Sequence, residues 1–410
     1  VASGIRFGSP AQKARAHEIY ARLRNEAPVV RVALRGRQTG WLVTRYADVA
    51  ALLTDARFVK DPANARADSH VRKDPWVPPI FRPLSRNMLD VDPPDHGRLR
   101  ALVQKAFTPK LVDELGGRIE AIAESLLDAL APRASMDLIH DYALPIPTII
   151  IAEMLGVPPS DRARFHRWSR KIVAATPSGW GMIGAIPSAL SFLRYIRRLI
   201  RLRRAERRDD LVSALVSAEE AGERLNEDEL VAMVFLLLIA GHETTVNLIG
   251  NGTLALLDHP GEMERLRADP GLGRSGIEEL LRFEGPLETA TERYAREDAA
   301  VGGVTIPRGS LVHAVLASAN RDETQFARPD ALDLSRDPNR HLAFGLGIHY
   351  CLGAPLARLE GRIAFDVLLR RCPDLRLAAP RSSLRWKPGL VLRGLKRLPV
   401  TWSGARGKTP

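Results

Sequence analysis

Two cysteines in 410 residues, Cys351 and Cys372, leave no material for a disulfide framework or for a cysteine-rich zinc or iron–sulfur centre. Each thiol has to be explained by its own neighbourhood. Long apolar runs are missing as well. The longest, Leu230 to Gly241, has 12 residues and is too short to cross a bilayer. The first twenty residues lack the apolar core of a signal peptide. There are no repeats, no low-complexity segment, no Gly/Ser linker and no glycine-rich nucleotide or flavin motif. These absences lead to an expectation of one soluble, cytoplasmic chain with no membrane contact.

Hydrophobic residues at 45% and charged residues at 26% match globular averages and exclude wholesale disorder. The net charge of +12 permits a nucleic acid, an anionic membrane surface or an acidic protein as partner, and selects none of them. Eight arginines fall between Arg194 and Arg208, every three to four residues, around Leu199, Ile200 and Leu202. That spacing reads as a solvated helix face. A nucleic-acid tract would interleave aromatic rings, and only Tyr195 is there.

Along the chain, one helix pattern within 11–45 precedes two β-like runs, VVRVAL and GWLVTR. Residues 60–94 are rich in Pro, Asp and Arg without a period, as a long functional loop would be. From Pro94 to about Phe283 nearly everything reads as helix, broken at Pro109, Pro132, Pro158–Pro159, Gly179–Gly184 and Gly222. Residues 286–315 look like short strands with turns at Gly302–Gly303 and Pro307–Gly309. An irregular stretch, 321–343, leads to a helix over about 352–371, and 374–402 is again strand-like. The expected fold is mainly α (α+β): a long central helix, a helical bundle and small sheets. It is expected as one large domain over 1–402, with 403–410 a disordered tail.

The long helix carries its own signals. Asn226 followed by Glu229 resembles a capping box, and apolar residues continue to about Leu257. Roughly thirty residues make a rod of about 45 Å. Ala240-Gly241-His242-Glu243-Thr244-Thr245 interrupts its apolar surface. A glutamate and threonines in a buried rod are costly unless used. Threonine can bond back to the preceding turn and open the helix, making room for water and O2. Gly241 removes a side chain that would crowd a diatomic ligand. The bland alternative is a helix kink with a satisfied carboxylate, and His242 reads as a structural hydrogen bonder.

The stretch Phe344-Gly345-Leu346-Gly347-Ile348-His349-Tyr350-Cys351-Leu352-Gly353 fits Phe-Gly-x-Gly-x-His-x-Cys-x-Gly. Cys351 sits where a glycine-rich loop turns into a helix, a setting that favours thiolate over thiol. A lone thiolate cannot chelate zinc but can be the axial ligand of a haem iron. Glycines let the backbone approach the sulfur, Phe344 can shield it, and His349 can point at a propionate. Cys372, just before Pro373, reads as inert.

On these residues the chain resembles the bacterial soluble cytochromes P450, a family of haem-thiolate monooxygenases, over roughly residues 11–402. The resemblance implies haem b (iron protoporphyrin IX) held by Cys351, with Phe344, Gly345 and Gly353 around the sulfur. His96 and Arg100 in DPPDHGRLR, and Arg293 in ETATERYARED, match further propionate ligands. Gly241 would line the O2 pocket, and Glu243 with Thr244 is similar to the family's acid–alcohol pair, which relays protons. Glu279 and Arg282 in IEELLRF resemble the Glu-x-x-Arg pair that locks the core beneath the haem. Arg336 is the candidate third partner, although Ala331 stands where many members carry arginine.

The implied reaction is hydroxylation or epoxidation of a mid-sized, mainly apolar small molecule with O2. Electrons would come from a separate acidic ferredoxin and its reductase, steered by a basic patch at Arg98, Lys105 and Arg358, and the protein would be a monomer. A peroxide-driven peroxygenase or isomerase would share Cys351 but have little need for Glu243 and Thr244. A haem sensor or a haem-free helical binding protein are further alternatives. Substrate would be read by 61–90, 175–190, the long helix before Gly241, Leu287–Thr291 and the turn near Leu392. Those segments offer Trp76, Phe81, Trp180 and Met182, polar handles at Glu288 and Thr289, and Arg66, Arg72 and Arg82, which read as solvated.

Overall fold

A computed structural model describes residues 5–34, 39–65, 87–175, 179–220 and 226–403. They form two compact units: 1–67, 116–146 and 244–410 in the first, 68–115 and 147–243 in the second. The architecture is mainly helical with small sheets, as expected.

Among the described residues all strands belong to the first unit. They are β1 (Val29–Ala33), β2 (Thr39–Val43), β3 (Phe58–Val59), β4 (Ser135–Asp137), β5 (Arg293–Ala295), β6 (Ala299–Val301), β7 (Val304–Ile306), β8 (Leu311–Ala314), β9 (Arg376–Leu377) and β10 (Pro399–Thr401). The largest sheet has the order β1-β2-β8-β5-β3, with β2 and β8 parallel and the other neighbours antiparallel. Alternation of side chains lets this sheet serve two cores. Val43, Val312 and Ala295 join Leu52 and Leu53 of the helix Tyr46–Thr54. Leu42 and Val32 point the other way, onto Tyr20 and Leu23 of the helix Ala16–Glu26. Each of these Val and Leu side chains contributes roughly 1.5–3 kcal/mol by leaving water.

β4 lies inside the region read as continuous helix. It pairs with β10, which also pairs with β9. Its three residues are too few to imprint a period, and its partner is more than 260 positions away. The terminal stretch holds less strand than expected, only β9, β10 and an isolated bridge between Trp386 and Leu395.

In the second unit the helices Pro159–Ala175 and Gly179–Ala205 form a hairpin. Phe165 lies 5.3 Å from Phe192 and 6.2 Å from Tyr195, and Trp168 lies 5.7 Å from Tyr195. The expected break over Gly179–Gly184 is not there, and Pro187 sits inside the second helix. The ring removes one backbone donor, but its fixed φ is helical, and the packed aromatic face holds the segment straight enough to continue. Arg203 departs from the solvated reading of the arginine run. It is 1% exposed, pairs with Asp210 and donates to the Gly156 carbonyl.

The central helix runs unbroken from Glu227 to Asp258. The capping box is real and reciprocal: Glu229 N–H donates to Asn226 Oδ1 at 2.8 Å, and Asn226 N–H to Glu229 Oε2 at 3.1 Å. By length and composition this helix could cross a membrane, which the 12-residue run did not suggest, but 61% of its most apolar window is buried within the protein. The tail beyond Ser403 lies outside the described residues.

Candidate haem-thiolate site

The cysteine loop is shaped by backbone bonds that close in sequence. Gly345 N–H donates to the Leu342 carbonyl, Tyr350 N–H to Gly347 and Cys351 N–H to Phe344, the last at 2.9 Å. Gly345 and Gly347 adopt φ of +72° and +73°, where a side chain would be strained. At Gly347 a Cβ would stand 3.0 Å from the Leu53 carbonyl oxygen, so the loop lies directly on the end of the helix Tyr46–Thr54. At Gly353 a Cβ would meet nothing within 4 Å. The Cys351 thiol is thus exposed at a bare-backbone position, three residues before the helix Ala354–Arg371. Cys372 is the opposite: buried, with burial pushing its thiol up to about 12.

Arg293, on β5, is 4% exposed and reaches toward the same Leu53 carbonyl. His349 sits half-buried in the short 3-10 turn Gly347–His349. Thr244 also belongs to this unit, whereas Glu243, the preceding residue, closes the second unit.

In the second unit His96 and Arg100 lie one turn apart on the helix Asp95–Ala106. His96 is 2% exposed, and its pKa is lowered by burial and by the neighbouring Arg100 charge. Gly241 faces Ile151, whose Cδ1 would be 3.6 Å from an added Cβ. His242 donates from Nδ1 to the Leu238 carbonyl at 2.7 Å, the structural role expected of it. Glu243 is 7% exposed.

The first unit also holds the Glu279–Arg282 pair, both residues at most 1% exposed. Arg282 Nε and Nη2 reach the two carboxylate oxygens at 2.7 Å each. Arg336 does arrive as a further partner, its Nε 3.1 Å from Glu279 Oε2, and Asn339 adds a bond at 3.0 Å. The Ala331 carbonyl accepts from both Arg282 and Arg336, so the backbone serves where many relatives have a side chain.

Two expectations need correction. Glu288 is fully buried against the N-terminal helices and does not stand as a handle for substrate, while Thr289, also fully buried, donates to the Leu390 carbonyl at 3.4 Å. Leu287 bridges to Leu392, which turns the next residue toward the N-terminal helices. There Glu288 accepts from Gln12 at 2.7 Å and from the Tyr20 hydroxyl, with the Lys13 ammonium 3.8 Å away. The second correction concerns the basic patch. Arg358 donates to Glu278 at 2.6 and 2.8 Å, and Arg98 donates to Glu229 at 2.6 Å, so these charges are already neutralised. The side chains of Lys105, Trp180 and Met182, and all of Arg66, Arg72, Trp76, Phe81 and Arg82, lie outside the described residues.

Sequence reasoning missed a clamp on Phe344. Its ring has the Arg358 guanidinium 4.5 Å above it and the His341 ring 6.0 Å away. Glu278 holds both, accepting from His341 Nε2 at 3.0 Å. His341 and Arg358 together hold the Glu278 carboxyl down to about 2 despite its burial. Sequence reasoning also missed Glu360, a buried acid on the helix Ala354–Arg371 that burial pushes up to about 8, with a hydrogen bond to Thr245. A lone acid nine positions after Cys351 on an apolar helix face was the available signal.

These residues fit a haem. Among the described residues no group of three His, Cys, Asp or Glu could hold a bare metal ion. A single exposed thiol beside unfilled glycine backbone instead suits a macrocycle that brings the remaining ligands itself. The fold and this loop therefore define a haem-thiolate protein. The family model "Cytochrome P450" matches residues 189–270 and 274–394. The chain is 46% identical to Cytochrome P450 107B1 of Saccharopolyspora erythraea over 386 residues, 94% of each chain. The solved structure of the bacillaene polyketide synthase cytochrome P450 PksS of Bacillus subtilis 168 superposes with a TM-score of 0.89 at 42% identity. It covers 97% of this chain and 99% of that one. P450BioI, solved in complex with a hexadec-9Z-enoic acid ligated acyl carrier protein, gives 0.85 at 37% identity, covering 96% of this chain and 100% of that one. The chain belongs to the cytochrome P450 family. It is a haem b monooxygenase that hydroxylates or epoxidises a small molecule with O2, using electrons from redox partners.

Proposed function

We propose that Cys351 is the axial ligand of this monooxygenase, that a ferredoxin and its reductase supply the electrons, and that the substrate is an acyl or polyketide-like chain with few polar groups. The enzyme acts as a cytoplasmic monomer in this reading. The bound haem supplies O2 activation and transfer of one oxygen atom to the substrate. Around it, His96, Arg100, Arg293 and His349 offer four donors for two propionates, and the fixed fork of each arginine suits a carboxylate. His96 donates to a propionate through a ring N–H. Phe344 excludes water from the sulfur, while Gly345 and Gly353 keep the backbone close to it. Glu243 carries protons inward from solvent, and the Thr244 hydroxyl hands them on and orients water.

One observation carries this reading: an exposed thiol at the end of a loop whose backbone bonds and left-handed glycines fix it in place. The acyl class is supported by PksS and P450BioI, whose names concern polyketide synthesis and a C16 acid. The test is the reduced, carbon monoxide-treated protein. The far-red-displaced Soret band of thiolate ligation should be present in the native protein and absent in Cys351→Ser. An unchanged band in the serine variant would remove Cys351 from its role.

A further inference from the structure

A cavity of about 670 Å3 lies in the first unit, and none of residues 344–353, Arg293 or Thr244 lines it. Small-molecule sites fall in the same range, about 300–1,000 Å3. Its apolar walls are Leu254 and Ala255 of the central helix, Phe283, and Leu384, Trp386 and Leu395 of the terminal segment. Two residues that line it carry a buried acceptor without a partner. Asn251, 1% exposed, donates through Nδ2 to the carbonyls of Arg393 and Gly285 at 3.0 and 3.4 Å, and its Oδ1 is left unbonded. His17 meets Glu284 at 2.7 Å through Nε2, and its buried Nδ1 has no partner. Glu284 also accepts from Arg393 at 2.9 Å, and that charge holds its carboxyl well below the usual range despite burial. Burial pushes the His17 ring down to about 4, so the ring is neutral at about pH 7. Its one proton therefore sits on Nε2, toward the carboxylate, and Nδ1 offers a lone pair.

We infer that this cavity is a second ligand site, which takes a neutral, mainly apolar alcohol. The hydroxyl donates to Asn251 Oδ1, a further donor on the ligand meets His17 Nδ1, and the apolar body lies against Phe283 and Trp386. Two buried acceptors call for a donor, because a buried polar group left unpaired is destabilising. The surrounding charges decide against an ion. Arg321, Arg381, Arg385 and Arg393 line the cavity with only Glu284 and Asp258 against them, so a cation would meet a net positive wall. An anion would meet two lone pairs, and each of the four guanidiniums already bonds a carboxylate or a backbone carbonyl. Water is the competing occupant. Two waters, at about 30 Å3 each, would satisfy both acceptors and leave most of the volume against apolar walls. Those walls are preformed, since guanidiniums stand 3.8 Å over Phe283 and 4.1 Å over Trp386 and fix both rings. The site uses no residue of the Cys351 loop, so it stands or falls apart from the oxygen chemistry.

The holoenzyme, its iron occupied by 4-phenylimidazole, is dialysed to equilibrium against 2-naphthol and, separately, against 2-methoxynaphthalene. Both are planar and similar in size, and only the first is a donor. One 2-naphthol should bind per haem, at least about tenfold more tightly than the ether. Ala14→Trp, at an exposed position on the cavity wall, should weaken 2-naphthol at least about tenfold. Ala121→Trp, exposed and outside the cavity, should stay within about twofold of native. The carbon monoxide band of both tryptophan variants checks that they are folded. Asn251→Leu should bind alcohol and ether alike; if that variant does not fold, the two tryptophan variants decide. The inference is overturned if the native enzyme binds no 2-naphthol, which would leave water as the occupant, or if it binds alcohol and ether equally. It is also overturned if Ala14→Trp binds 2-naphthol as the native enzyme does, which would place that molecule elsewhere.

Discussion

Arginine does opposite work in two regions of this molecule. On the helix Gly273–Glu284 Arg282 is buried, and every donor meets a carboxylate oxygen or a backbone carbonyl: Glu279, Asn320, Pro329 and Ala331. On the helix hairpin Arg194, Arg198 and Arg201 stand in solvent with no partner from the described chain. A buried guanidinium must be matched group for group or the fold loses several kcal/mol, so its geometry is dictated. An exposed one is hydrated and screened, so its position is dictated by nothing within the chain. The two regions should respond differently to the same truncation.

The largest effect is expected at Arg282→Ala. Removing that guanidinium leaves the buried Glu279 with Arg336, Asn339 and the Asp333 N–H, a loss of about 3–5 kcal/mol for a broken buried pair. Urea unfolding followed by circular dichroism measures it, and haem loss should accompany unfolding. Arg282→Lys should rescue little, because a single ammonium cannot reach both carboxylate oxygens and three carbonyls at once. A loss under about 1 kcal/mol would mean that Arg336 neutralises Glu279 unaided, and the contrast with the hairpin would fail.

Glu278 lies between the two regimes, its side chain 25% exposed, and it gives a pH-dependent test. Its carboxyl titrates near 2 in the folded state against an ordinary 4.5. A depressed carboxyl stabilises the fold fully above about pH 5, and that contribution is lost as pH falls toward 2. After discounting for solvent it is worth about 2 kcal/mol. Native stability measured at pH 5 and pH 3 should therefore fall more steeply than that of Glu278→Gln. Parallel slopes would show that Arg358 and His341 are held by something other than this charge. The substitution should also shift the reduction potential of the holoenzyme, since it frees both groups that flank Phe344.

How legible all this was depends on the range over which each signal acts. The cysteine loop, the capping box and the Glu279–Arg282 pair are local, with every partner within ten residues, and the sequence displays them. Arg336 was visible only as a candidate, because a carbonyl at Ala331 replaces a side chain, and no sequence records what a carbonyl accepts. Glu288 was misread because its neighbours Leu287 and Thr289 belong to a segment expected to meet substrate. What decides its direction is a bridge to Leu392 about a hundred residues on. Glu278 was hidden beside a more familiar glutamate, and its partners His341 and Arg358 are 63 and 80 positions away. Gly179–Gly184 was read as a break by the local cost of its glycines, yet the helix Gly179–Ala205 runs through them.

A smaller effect is expected where a local signal acts at the surface. Asn226→Ala removes the acceptor for Glu229 N–H at the start of the central helix and should cost about 1 kcal/mol. Asn226→Asp should retain the cap. Thermal unfolding of the two variants checks this, and equal melting temperatures would mean that the ion pair from Arg98 to Glu229 fixes the helix start without the cap.

The smallest effect is expected at Arg198→Ala, within about 0.5 kcal/mol of native, because an exposed charge with no partner has little to lose. Its sign is informative. Arg194, Arg198 and Arg201 repel one another along one helix face, so truncation should stabilise slightly at low salt. Raising ionic strength shortens the Debye length from about 30 Å at 0.01 M to about 3 Å at 1 M and removes the repulsion. The native protein should therefore gain stability with salt, and Arg198→Ala should gain less. In the buried cluster the same salt change should leave the difference between native and Arg282→Ala almost untouched, since those groups are out of reach of counterions. If salt instead lowers the stability of the native hairpin, its arginines are paired within the chain after all.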